Sequence, residues 1–165
     1  MRIVPVDESN IAYCVQLGRE LVEMAHIDDG APAFDWDYTM ATTRAVLQRD
    51  DYYIRMAVDE DGTHFGYVGG HVEPFYFSPR VFGVENSWYV REAHPMRTRA
   101  GMELMRRFVR WAINEKNAVM VQSGDIAAIN TVAVDAAYRH LGFKRYGVIY
   151  KFAREAGNVD AKRTA

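Results

Sequence analysis

Cysteine is all but missing: Cys14 stands alone in 165 residues, so the chain has no intramolecular disulfide. Its place on the apolar side of a predicted helix makes it a buried thiol rather than a nucleophile. Long hydrophobic runs are missing as well. No apolar stretch approaches the roughly 20 residues a membrane span needs, and the opening Met1-Arg2-Ile3-Val4-Pro5-Val6-Asp7 lacks a signal peptide's apolar core, so a cytoplasmic protein is expected. Metal-ligand spacing is absent. His26, His64, His71, His94 and His140 never fall at HxxxH or HxH intervals or beside cysteine, and no metal is expected. Ser87 and Ser123 lack the flanking glycines of a nucleophile elbow. Gly66, Gly69 and Gly70 fall within a predicted hairpin rather than at a strand-to-helix turn, which excludes a dinucleotide fingerprint.

Net charge is only −2, which argues against a nucleic-acid partner held through phosphates. The charge is uneven all the same. Residues 1–90 carry 6 Lys/Arg and 15 Asp/Glu, net −9, whereas residues 91–165 carry 14 and 7, net +7. A basic half suits an anionic cofactor and an acidic half a cationic acceptor, although solvated faces alone produce the same split. Hydrophobic content of 49% and charged content of 25% fit one globular core.

Ile3 to Val6 reads as a short strand, and Asp7-Glu8-Ser9-Asn10 offers several N-caps for a helix to about Ala25. Its apolar stripe is Ile11, Cys14, Val15, Gly18, Leu21, Val22 and Ala25. After a turn-rich break at residues 26–32, Asp35 caps a second helix ending near Gln48. Tyr52 to Asp59 and His64 to Val72 form a hairpin whose turn uses Gly62, and Val81 to Val90 is the next strand. Pro74 and Pro79 assign residues 73–80 to the connection. Residues 101 to about 115 make the strongest helix, with Met102, Met105, Val109 and Ala112 on one stripe and Arg106, Arg107 and Arg110 opposite. Ala118 to Gln122 is a short strand, Asn130 to His140 a helix closed by Gly142, and Tyr146 to Phe152 a final strand. One domain over residues 1–153 and a flexible tail over 154–165 are expected.

Two stretches carry chemistry. Val90 through Met102 passes from a strand end through a basic loop into an amphipathic helix, the setting in which free main-chain N–H groups and a helix dipole hold a pyrophosphate. The second is Tyr138-Arg139-His140-Leu141-Gly142-Phe143. With the element order β-α-α-β-β-β-α-β-α-β, these resemble the GNAT superfamily of acetyl-CoA-dependent N-acetyltransferases over residues 2–152.

The resemblance implies an α/β (α+β) fold in which a mixed, mostly antiparallel sheet carries helices on both faces and its fourth and fifth strands splay. Acetyl-CoA as co-substrate would enter that opening. It would be held by Tyr89, Val90, Met96, Arg97, Thr98, Arg99, Ala100, Gly101 and Met102. Of the family's loop glycines only Gly101 is kept. Arg99 stands where the first is expected, and it and Arg97 are suited to meet phosphate through their guanidinium groups. The resemblance further implies that Tyr138 protonates the departing CoA thiolate. An ammonium acceptor must shed a proton, and Glu85, five residues before Val90, is the candidate base, with Glu73 and His71 as alternatives.

Asp28, Asp29, Phe34, Asp35, Trp36, Asp37 and Tyr38 set acids beside aromatics where the family shapes its acceptor pocket, which suits a cation, though helix capping by Asp35 and solvation of Asp28 and Asp29 explain the same residues without a substrate. Phe75, Tyr76, Phe77 and Phe82 either form a patch for a homodimer partner or pack inward. The function expected is acetyl transfer to a primary amine of a small molecule or peptide by direct attack in a ternary complex. The alternatives are a non-catalytic acyl-CoA-binding or interaction protein of the same fold, and a toxin acting on charged tRNA, against which the acidic first half weighs.

Overall fold

The computed structural model describes residues 1–25, 33–124, 131–145 and 147. Along the chain run β1 (Arg2–Pro5), α1 (Ile11–Met24), α2 (Trp36–Leu47), β2 (Tyr52–Val58), β3 (His64–Pro74), β4 (Val81–Val90), α3 (Arg97–Arg110), β5 (Val121–Gln122) and α4 (Thr131–His140). The sheet order is β1-β2-β3-β4-β5, antiparallel through β4 and parallel between β4 and β5. Apart from Gly147, the final strand and the tail expected from the sequence lie outside the described residues.

Local chemistry explains several boundaries. Asp35 caps α2 by accepting the Tyr38 N–H at 2.9 Å, and Gly62 turns the β2–β3 hairpin with φ +84°. Gly142, at φ +89°, ends α4 and lets the Phe143 N–H return to the Tyr138 carbonyl at 3.0 Å. Other boundaries moved. Pro74 ends β3 opposite Val81, where a terminal position loses little by lacking an N–H. The continuous ladder of β5 shrinks to Val121–Gln122. α3 starts at Arg97 rather than 101, directly after Pro95 and Met96, since none of residues 97–100 breaks a helix. Its last turn, Trp111–Glu115, widens to a π turn in which the Lys116 N–H reaches the Trp111 carbonyl at 3.1 Å.

Two apolar clusters cover the two sheet faces. α1 and α2 close one face over Met56, Tyr67 and Tyr89; Leu17, outside the expected stripe, is fully buried there, and Cys14 is buried beside it with its thiol pushed up to about 12 by burial. α3 closes the other over Phe65, Val68 and Val72, with Trp88, Val90 and Tyr138 packed against it. Gly70 is required at this second interface. A Cβ there would meet the Val84 carbonyl oxygen at 2.5 Å and the Phe108 ring at 2.6 Å.

Candidate active site

β4 shapes the site through one irregularity and one early stop. Gly69 pairs with Ser87 but Gly70 with Glu85, so Asn86 is an extra residue that bulges the strand. β5 pairs with β4 only at Gly83↔Val121 and Val84↔Gln122. Glu85 and Ser123 are therefore the first residues past the point where the two strands part. Beyond it, Trp88 and Val90 stand opposite Val68 and Gly66, while the Arg91 N–H bonds the Phe65 carbonyl at 2.9 Å. Antiparallel alternation then turns the main-chain N–H and C=O of Trp88 and Val90 away from β3, toward the opening.

At this fork three side chains meet. Ser123 Oγ lies 2.5 Å from Glu85 Oε2 and 2.6 Å from the Tyr138 hydroxyl, and Tyr138 lies 3.3 Å from Glu85 Oε2. The carboxylate only accepts and each hydroxyl carries one proton, so the short path runs from Tyr138 O–H to Ser123 O–H to Glu85. Tyr138 is held by ring contacts with Trp88 at 5.4 Å and Phe143 at 5.3 Å between centroids. Ser123 is a site residue that the sequence does not reveal. No motif surrounds it, and only the β4–β5 register puts it beside Glu85.

His71 and Glu73 do not join this group. His71 Nδ1 sits 2.8 Å from Asn86 Oδ1 and Nε2 sits 3.3 Å from Glu73, and the ring stacks on Tyr52. Its neighbour Gly70 faces Phe108, so His71 faces the α1–α2 side.

The expected cofactor residues divide. Tyr89 is buried on the α1 face, its hydroxyl 3.5 Å from Glu20 and its pKa raised by burial. Arg97, Thr98 and Arg99 are exposed in the first turn of α3, with Arg97 bonded to Glu92. Met96 precedes the helix as its N-cap; the Met96 N–H goes to His94 Nδ1, that of Arg97 to the His94 carbonyl and that of Ala100 to the Met96 carbonyl. The first-turn amides of Thr98 and Arg99 have no acceptor among the described residues. Ala100 and Gly101 are buried, and a Cβ on Gly101 would sit 3.2 Å from Trp88 Cζ2. Thr98, Arg99 and Met102 also border an open groove of about 670 Å³ with Arg2 and Arg106, on the side of α3 toward β1. That groove includes none of Glu85, Ser123 or Tyr138.

Trp88 supplies a test of whether a ligand fits the fork. Among the described residues its Nε1 is the one buried side-chain polar atom with no hydrogen-bond partner. An orphaned buried donor between Gly101 and Tyr138 suits a ligand bearing amide or thioester carbonyls. Elsewhere, Asp35 of the acidic-aromatic segment is taken up as a helix cap, Phe34 packs on the α1–α2 core, and Asp37 and Tyr38 are exposed. Asp28 and Asp29 lie outside the described residues. Phe75, Tyr76 and Phe77 turn outward, the last two 90% and 84% exposed, which decides against inward packing for these three, while Phe82 is half-buried with its ring against Phe75.

No family model and no curated protein matches the sequence. Solved structures do match. The aminoglycoside 6'-N-acetyltransferase AAC(6')-Ig of Acinetobacter haemolyticus superposes with TM-score 0.70 at 16% identity, over 95% of this chain and 100% of that one. AAC(6')-Iy, in complex with the bisubstrate analogue CoA-S-monomethyl-acetylneamine, gives TM-score 0.71 at 19% identity over 93% and 97%. A Trypanosoma brucei acetyltransferase gives 0.62 at 15% over 93% and 99%. At these identities the likeness is one of fold.

Proposed function

We propose, on the premise that the chain has the GNAT acetyltransferase fold, that it moves an acetyl group from acetyl-CoA to a primary amine by direct attack, without an acyl-enzyme. The meeting of Glu85, Ser123 and Tyr138 at the β4–β5 fork carries this reading. AAC(6')-Iy, a structure of the same fold, is known with CoA and with a CoA bisubstrate analogue. Bound at the fork, acetyl-CoA supplies the thioester and a thiolate leaving group. Trp88 Nε1 and the outward main-chain N–H groups of Trp88 and Val90 orient and polarise that carbonyl, and the unpaired amides of Thr98 and Arg99 hold the diphosphate. Glu85 takes the proton that the neutral amine sheds as it attacks. Tyr138 delivers its proton to sulfur, a transfer open to a phenol because the departing thiolate is itself fairly basic. The acidic first half of the chain supports a cationic acceptor, small molecule or peptide.

Calorimetry with acetyl-CoA followed by a thiol-release assay over a panel of amines tests this. Binding and turnover are expected. Tyr138→Phe should keep acetyl-CoA affinity and lose about 10²-fold in kcat. Binding without turnover of any amine would mean a non-catalytic acyl-CoA-binding protein.

A further inference from the structure

We infer that Ser123 is the proton conduit that resets Glu85 and Tyr138 after each turnover; this rests on the transferase reading above and deepens it. Once Glu85 has taken a proton from nitrogen and Tyr138 has given one to sulfur, the pair is left as carboxylic acid and phenolate. A proton passed from the acid to the phenolate restores both. The direct path spans 3.3 Å, long for an O–H···O bond, whereas the steps through Ser123 are 2.5 and 2.6 Å, the range of charge-assisted bonds. A serine hydroxyl gives one proton and accepts another, so it passes charge either way without being ionised.

The steps balance. Before attack the ammonium loses one proton to solvent. The nitrogen then attacks, a C–N bond forms and the C–S bond breaks; the nitrogen's second proton goes to Glu85 and the Tyr138 proton goes to the thiolate. As Glu85 returns its proton to Ser123 Oγ, the Ser123 O–H proton moves to the phenolate oxygen. No oxidant, reductant or further reactant is required. In the resting chain the same bonds point from Tyr138 to Ser123 to Glu85, so each turnover reverses their direction once.

The placement follows from register. Gly83↔Val121 and Val84↔Gln122 are the last β4–β5 pairs, which makes Glu85 and Ser123 the next pair in line as the strands part. The reversal of chain at Gly142 returns Phe143 to Tyr138, whose ring it contacts at 5.3 Å between centroids.

The experiment compares wild type with Ser123→Ala and Ser123→Thr in three readouts: acetyl-CoA affinity by calorimetry, kcat and KM for an amine turned over in the panel, and kcat across mixtures of H₂O and D₂O. Ser123→Ala should bind acetyl-CoA as wild type does, keep KM, and lose on the order of tenfold or more in kcat. Its dependence on deuterium fraction should turn from bowed to linear as the second proton in flight is removed. Ser123→Thr should restore both. A Ser123→Ala variant within twofold of wild-type kcat, or a loss seen only in acetyl-CoA affinity, overturns the relay while leaving the transferase reading intact. A wild type that binds acetyl-CoA and acetylates no amine overturns the transferase reading, and the relay with it.

Discussion

Replacing Trp88 by phenylalanine deletes the orphaned N–H while keeping an aromatic ring between Gly101 and Tyr138, and two free energies of similar size oppose each other in the result. An unsatisfied buried donor costs roughly 1–3 kcal/mol, which the variant recovers in the free protein. Losing the pyrrole edge forfeits about 1 kcal/mol of buried surface and contact. The free variant should therefore be as stable as wild type or up to ~2 kcal/mol more stable, a Tm unchanged or raised by a few degrees for a chain of this size. If the indole N–H finds its acceptor in acetyl-CoA, the same 1–3 kcal/mol (approximately) disappears from binding, and Kd should rise about five- to hundredfold. Differential scanning calorimetry and isothermal titration on the two proteins read both quantities. A lower Tm together with an unchanged Kd would refute the reasoning, since it would make the indole a packing group alone.

Gly70→Ala should destabilise by about 2–3 kcal/mol in urea unfolding, because its Cβ would meet a backbone oxygen at 2.5 Å and the buried Phe108 ring at 2.6 Å. Glu85→Gln should lower kcat by about 10²-fold while acetyl-CoA affinity, measured by calorimetry, stays near wild type. Acid unfolding should report Glu20, whose carboxyl the Arg91 guanidinium at 2.8 Å holds below its ordinary 4.5. The folded state gives up that proton more readily than the unfolded chain, so the pair's stabilisation is complete above pH 4.5 and fades as pH falls through the lower folded value. Glu20→Gln should accordingly cost about 1–2 kcal/mol at pH 7 and much less at pH 3, measured by urea titration at both.

Legibility in the sequence tracked locality. The cap at Asp35, the turn at Gly62 and the stop at Gly142 are set by a few neighbouring residues, and each stands where the pattern put it. The pattern also put Cys14, Ile11 and Val15 on α1's buried side, yet it passed over Leu17, whose burial depends on how α1 lies across β3 and β4. Glu85 and Tyr138 were named from the family pattern, but their meeting through Ser123 depends on a parallel register between strands that are distant in sequence. The basic stretch read as a loop is helix from Arg97 onward, so what it offers to an anion is the pair of amides at Thr98 and Arg99 rather than a loop's full set.

The bulge at Asn86 decides which groups share a face. In a regular strand side chains alternate, so residues 85 and 88, three apart, would face opposite sides of the sheet. The extra residue changes that. Glu85 meets Tyr138 and Trp88 packs on the α3 core, while Ser87 and Tyr89 turn toward α1, where Tyr89 meets Glu20. Glu85, the orphaned indole of Trp88 and the side chain of Val90 thus belong to one wall, with Ser123 and Tyr138 facing it across the fork. The bulge also leaves His71 and Asn86 bonded on the other face, at the same level as the fork. The inserted residue thus sets Glu85 on the α3 face with Trp88 and Val90 and leaves the His71–Asn86 pair on the opposite face, toward α1 and α2.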